Sequence, residues 1–126
     1  MARIILGYTA ILLLSLMAGC SGSSSQVRQD AYLADQGYQE LVKGNYDKAE
    51  ANLRVALSIN PENPYALLNL GVLYQNTGRV EKAKEMYRKL LALNPKEKAV
   101  ASTRKDFDGK RLTDIARANL KMLEDY

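Results

Sequence analysis

Histidine is absent from the 126 residues and cysteine occurs once. Without a second cysteine the chain closes no internal disulfide. Without histidine it builds by itself no Cys/His zinc site, iron–sulfur cluster or histidine-based triad. Runs of one charge sign are missing too: 18 Lys+Arg stand against 14 Asp+Glu, mixed along the chain. The cations are spread over several segments rather than gathered in a stripe, so no nucleic-acid partner is expected. The uncharged run from Ile4 to Ala18 falls short of the roughly 20 residues a helix needs to span a bilayer.

That run nevertheless has a shape. Met1-Ala2-Arg3 places positive charge before it, and small residues with Cys20 follow it, as in a secretory signal. Met17-Ala18-Gly19-Cys20 resembles the lipobox of bacterial lipoprotein precursors, with Met17 where leucine is usual. The resemblance implies cleavage behind Gly19, a diacylglycerol on Cys20 and attachment to a membrane by more than one acyl chain. Ser21 stands where aspartate signals inner-membrane retention in that family. The expected address is therefore the bacterial cell envelope, and the outer membrane facing the periplasm if the host has two membranes. Ser21-Gly22-Ser23-Ser24-Ser25 has nothing to bury and reads as a flexible tether. Residues 1–19 are thus expected to be a signal peptide, and residues 20–29 a lipidated cysteine with its tether.

Shifting the sequence against itself by 34 residues aligns Leu33, Gly37, Gly44, Ala49 and Pro61 with Leu67, Gly71, Gly78, Ala83 and Pro95. A period of about 34 residues is the spacing of tetratricopeptide (TPR) units, each a pair of helices. Residues 30–97 resemble that family. The second unit carries Leu67, Leu70-Gly71, Tyr74, Ala83, Tyr87 and Pro95 at the family's positions, and the first carries its inter-helix turn, Gly44 to Ala49. The fold expected is all-α: an antiparallel helix-pair solenoid of two TPR repeats, residues 30–63 and 64–97, closed by capping helices within 98–126.

The residues account for those elements directly. Asn63-Pro64 supplies a side-chain cap and a proline at the first helical position, where its missing N–H is not needed. Gly44 and Gly78 end helices, because glycine takes the left-handed conformation cheaply. Asn60-Pro61 and Asn94-Pro95 stop the second helices, since proline pushes the preceding residue to extended backbone. Gly71, inside a helix, is expected where the partner helix approaches closely, near Ala83. Beyond Pro95, Lys98 to Lys105 is a helix candidate, and Asp106-Phe107-Asp108-Gly109 reads as a turn. Leu112, Ile115, Ala116, Leu120 and Leu123 then form a helical stripe, with Thr113 as its candidate cap. This helix is expected to close the second repeat; the alternative is a helix that docks a partner.

Chemistry finds little support. Aligning Asp108-Gly109 with the turn of a calcium loop places Arg104 and Ile115 at ligand positions, which neither can fill. Glu50 with Arg54, and Glu85 with Lys89, are spaced as ion pairs on wet helix faces. No nucleophile has a base beside it, so no catalytic residue, metal or cofactor is expected. What the TPR resemblance implies is binding, along the surface made by the first helix of each repeat. Carried over by position, that groove presents Ala31, Ala34, Asp35 and Tyr38, then Tyr65, Leu68, Asn69, Val72, Gln75 and Asn76. Asn69 offers both donor and acceptor to a peptide backbone, and Tyr38 and Tyr65 are the anchor candidates. Ala34 and Leu68 stand where family members that grip a terminal carboxylate carry lysine, which argues against such a clamp. The expected function is a membrane-anchored adaptor or assembly factor that holds an envelope protein or peptide segment, of the pilus or secretion type. The alternative is a structural lipoprotein that self-associates into homo-oligomers and organises cell-wall or membrane machinery.

Overall fold

The computed structural model describes residues 23–99 and 108–125, the side chains of residues 23–28 excepted. The sites expected at Cys20 and in the leader lie outside the described residues. Among the described residues five helices follow one another: α1 (Ser23–Val42), α2 (Tyr46–Ile59), α3 (Pro64–Asn76), α4 (Val80–Leu93) and α5 (Leu112–Glu124). They pack as pairs, α1 with α2 and α3 with α4; α3 also lies against α1 and α2, and α5 lies on α4 with a smaller contact to α3. This is a helix-pair solenoid whose fifth helix closes the second pair. Ser23, Ser24 and Ser25, expected as tether, belong to the first turn of α1.

Local chemistry repeats with the sequence. Asn45 N–H donates to Glu40 O at 2.9 Å and Gly44 N–H to Leu41 O at 3.0 Å; one repeat later, Arg79 N–H donates to Tyr74 O at 2.8 Å and Gly78 N–H to Gln75 O at 3.2 Å. Both sets use the last orphan carbonyls of a helix, and both need a left-handed glycine, Gly44 at φ 79° and Gly78 at φ 73°. At the start of α3, Asn63 Oδ1 accepts from Ala66 N–H at 2.9 Å with Pro64 behind it. Between α2 and the end of α3, Glu50 accepts from Arg79 at 2.8 Å and from the Tyr74 hydroxyl at 3.3 Å, while the Arg79 guanidinium sits 4.4 Å from the Tyr74 ring centre.

Gly71 is a point of close approach to α4, where the nearest atoms belong to Tyr87, one turn beyond Ala83: a Cβ there would stand 2.5 Å from the Tyr87 ring. Gly37 meets Leu53 in the same way, at 2.5 Å. Leu53 and Tyr87 are themselves one repeat apart, so each helix pair is seated by a glycine against one large side chain.

The loop joining the repeats is held by a buried carboxylate. Asp30, 2% exposed, accepts through Oδ2 from Asn60 Nδ2 and from Asn63 Nδ2, both at 2.8 Å. The second loop lacks this clip, because the residue one repeat after Asp30 is Pro64. Asn60 is extended, whereas Asn94 is left-handed at φ 48°. Glu97 and Lys98 replace the capping Asn63 and Pro64, so no third repeat helix starts there. Instead Lys98 pairs with Arg111 in an antiparallel bridge. The helix expected from Lys98 is therefore absent at Lys98 and Ala99; the rest of that expectation, and Asp106-Phe107, lie outside the described residues. Asp108-Gly109 is a turn with Gly109 at φ 73°. Arg111, not Thr113, holds the cap position of α5; Thr113 is buried inside its first turn.

Candidate functional site

The first helices of the two repeats, α1 and α3, lie side by side, and each carries a stripe at helical spacing. On α1 the stripe is Ala31, Asp35, Tyr38 and Val42; on α3 it is Tyr65, Asn69, Val72 and Asn76. Ala31, Asp35, Val42 and Asn76 are exposed, and Tyr38, Tyr65, Asn69 and Val72 are half-buried. The expected groove residues Asp35, Tyr38, Tyr65, Asn69, Val72 and Asn76 are thus accessible in two parallel rows. Val42, which completes the α1 row and is 49% exposed, was missed; its spacing from Ala31, Asp35 and Tyr38 is the signal that would have found it.

Three expected groove residues sit elsewhere. Ala34 and Leu68, at 2% and 7% exposure, belong to the core; each precedes a stripe residue by one position, and a helix turns about 100° per residue, which swings them into the seam. Gln75 is held by its own fold, its Oε1 accepting the Tyr87 hydroxyl at 2.8 Å. Tyr87 in turn accepts from Asn119 Nδ2 of α5 at 3.3 Å, so α5 is fastened through one phenol to both helices of the second repeat. Burial pushes the Tyr87 phenol pKa well up.

Tyr65 bounds one end of the α3 row. Its hydroxyl donates to the carbonyl of Lys98 at 3.2 Å, and its pKa is raised, first by burial and then by the nearby Glu97 charge. The two rows therefore present amides, one carboxylate and apolar surface, suited to an extended chain that needs both hydrogen bonds and side-chain contact. Glu81 and Glu85, the carboxylates one turn apart, each pair with a lysine, Lys84 at 3.2 Å and Lys89 at 2.7 Å. Among the described residues no group of three or more acidic, histidine or cysteine side chains could hold a metal ion, and no helix is long and apolar enough to cross a membrane.

The end faces differ from the groove. Ala66, Leu70 and Leu73 form a buried stripe on α3. Their counterparts one repeat earlier are Tyr32, Gln36 and Gln39, of which only the tyrosine has a large apolar side chain. At the other end, Leu112, Ile115, Ala116 and Asn119 of α5 face inward, while Asp114, Arg117 and Lys121 face out.

Comparison with known proteins agrees with this architecture. Photosystem I assembly protein Ycf3 of Acaryochloris marina is 41% identical over 63 residues, 47% of this chain and 37% of that protein. A protein O-mannosyl-transferase of Caenorhabditis elegans is 32% identical over 82 residues, 65% of this chain but 10% of its own length. The chain thus spans little more than a third of one relative and a tenth of the other. No solved structure matches it significantly. The family model for the tetratricopeptide repeat matches residues 41–106, just over half of the chain and including α2, α3 and α4. With the paired helices and the repeated glycine seats, that match makes the chain a member of the tetratricopeptide repeat family.

Proposed function

We propose that this chain is a non-catalytic adaptor that holds an extended segment of another protein in the α1–α3 groove, and that it serves the assembly of a larger complex. The observation that carries the reading is the two rows themselves: Asp35, Asn69 and Asn76 keep amide and carboxylate groups accessible along the groove. Of the two end faces, α5 covers the second, while the first carries Gln36 and Gln39 beside Tyr32, which is 62% exposed. A self-associating lipoprotein would need an open apolar end, and the two glutamines beside Tyr32 favour the adaptor reading over it. The similarity to a protein named for photosystem assembly supports the assembly role, though not that particular complex. The interaction repeats, and the absence of any nucleophile–base pair from the sequence, support a non-catalytic role.

The anchored part of the proposal rests on the sequence. Met17-Ala18-Gly19-Cys20 supports a lipid on Cys20, and Ser21 supports an outer-membrane address facing the periplasm in a two-membrane host. Tethering would raise the local concentration of the groove around an envelope partner of the pilus or secretion type. The test is crosslinking in intact cells, comparing wild type with an Asp35→Ala, Asn69→Ala, Asn76→Ala variant shown to be folded. A defined partner lost in the variant is expected; a partner set indifferent to those changes, or crosslinks to the chain alone, would refute the groove. Cys20→Ala should abolish acyl labelling and release the chain from membranes, and retention with unchanged labelling would refute the anchor.

A further inference from the structure

α2 and α4 are not among the helices that pack on each other, and a cleft of about 370 Å³ opens between them. Leu70 and Tyr74 of α3 and Met86 of α4, all buried, form its floor, and half-buried Leu57 of α2 adds an apolar wall. Arg54 and Ser58 of α2 and Lys82 of α4, all exposed, line its mouth. Methionine in such a floor adapts readily to an inserted side chain. The cleft shares no residue with the α1–α3 rows. At about 100° per residue, Leu70 and Tyr74 lie at least about 100° around α3 from each of Asn69, Val72 and Asn76.

Charge around this cleft does not balance. Glu50 holds Arg79 at 2.8 Å, stands 3.9 Å from Arg54 and also accepts the Tyr74 hydroxyl. Lys82 has no ion-pair partner among the described residues. Its ammonium lies 5.6 Å from the Tyr74 ring centre, and the Arg79 guanidinium lies 4.4 Å from the same ring. Three cations thus gather around Tyr74 with one carboxylate among them. The Arg54 pair is long, and its guanidinium side chain is 70% exposed, so that pair holds the arginine weakly. We infer that the cleft between α2 and α4 is a second docking site, taking a partner segment that sets an apolar side chain between the helices and offers a neighbouring Asp or Glu to Arg54 and Lys82. The surplus of cations selects such a segment over a neutral or basic one. An anionic membrane would also meet Glu81 and Glu85, whose side chains are 81% and 57% exposed on the same helix as Lys82. A single acidic side chain reaches the cations without approaching those carboxylates as a flat surface must, so the peptide is favoured. This site goes beyond the α1–α3 groove and does not depend on it.

The test pans the full chain against displayed random ten-residue peptides, then titrates the enriched peptides by fluorescence anisotropy. A class pairing Asp or Glu with a neighbouring Leu, Phe or Met is expected. Its affinity should fall about tenfold or more in an Arg54→Gln, Lys82→Gln variant, and also in Ser58→Trp, which fills the mouth and keeps both charges. Asn69→Ala, Asn76→Ala should leave it unchanged. The reversed pair, Arg54→Glu with Lys82→Glu, should favour the same peptides with lysine in place of their acids. Thermal unfolding of each variant establishes that it is folded. Peptides that need Asn69 and Asn76 but ignore Arg54, Lys82 and Ser58→Trp, with no acidic class beside them, would overturn this inference and leave the groove standing. Cleft peptides alone, with none that needs Asn69 and Asn76, would uphold the cleft and count against the groove. Phosphatidylglycerol vesicle binding that is lost in Arg54→Gln, Lys82→Gln, without peptide enrichment, would assign the cations to a membrane surface instead. Self-association abolished by the same variant, read by sedimentation, would assign the cleft to a second copy of the chain.

Discussion

Gly71 and Tyr87 meet with no side chain between them: a β-carbon on Gly71 would lie 2.5 Å from Cε1 of the buried tyrosine ring. At an open helix position, replacing glycine by alanine gains up to about 1 kcal/mol. Here the ring is enclosed and the added methyl must displace it, at a cost of about 1–3 kcal/mol. Gly71→Ala is therefore expected to lower stability by roughly 1–2 kcal/mol, read as a lower urea midpoint at unchanged slope. A rise in midpoint would mean that the helices separate freely at this seat.

Tyr87→Phe keeps the ring and removes the hydroxyl. Gln75 loses a donor, and Asn119, 5% exposed, loses its acceptor. A buried polar group left without a partner costs about 1–3 kcal/mol. The variant should unfold earlier, and the amides of α5 should exchange faster with deuterium than those of α1. Uniform exchange across the chain would show that the phenol does not fasten α5.

Alkali provides a second reading of the same residue. Burial raises the Tyr87 pKa above its unfolded value near 10, so above that pH the unfolded chain releases a proton that the folded chain keeps. Stability due to this group is complete below pH about 10 and is lost as pH rises through the folded pKa, with a slope of up to about 1.4 kcal/mol per pH unit. Burial shifts Tyr65 and Tyr74 the same way. Tyr87→Phe should flatten the fall in unfolding free energy between about pH 10 and 12 without abolishing it.

Asp30→Ala removes the carboxylate that holds Asn60 and Asn63. Two hydrogen bonds to a charged group are lost in a buried place, a cost on the order of 3 kcal/mol. The loop between the repeats should become protease-sensitive before the helices do. Cleavage elsewhere first would place the weak point outside the Asp30 clip.

Lys98→Glu replaces a repulsive cross-strand pair by an attractive one. It should raise stability by a few tenths to about 1 kcal/mol, measured by chemical unfolding. No gain would mean that the two cations already avoid each other by pointing apart.

The framework was legible because its residues recur unchanged: Leu33 with Leu67, Gly37 with Gly71 and Gly44 with Gly78 mark the helices and their ends. The α5 stripe was legible from Leu112, Ile115 and Ala116, all buried as spaced. The seats were not, because Leu53 and Tyr87 share a role without sharing an identity, and an identity shift passes over them. Asp30 gave no signal, having Pro64 as its counterpart and partners about 30 residues away. The site was legible as rows but not in depth. Ala34 and Leu68 differ from stripe residues by one position, and only packing decides which side of the seam that turn reaches.

The glutamines on the first end face also determine how this chain could grow. A duplicate of the first repeat inserted ahead of the second would bury Gln36 and Gln39 against its neighbour, where Leu70 and Leu73 now pack. A duplicate of residues 64–97 would carry its own leucines inward and still present to α5 the surface α5 already covers. Elongation of this lineage, by gene duplication or by design, is therefore open to its second unit and closed to its first.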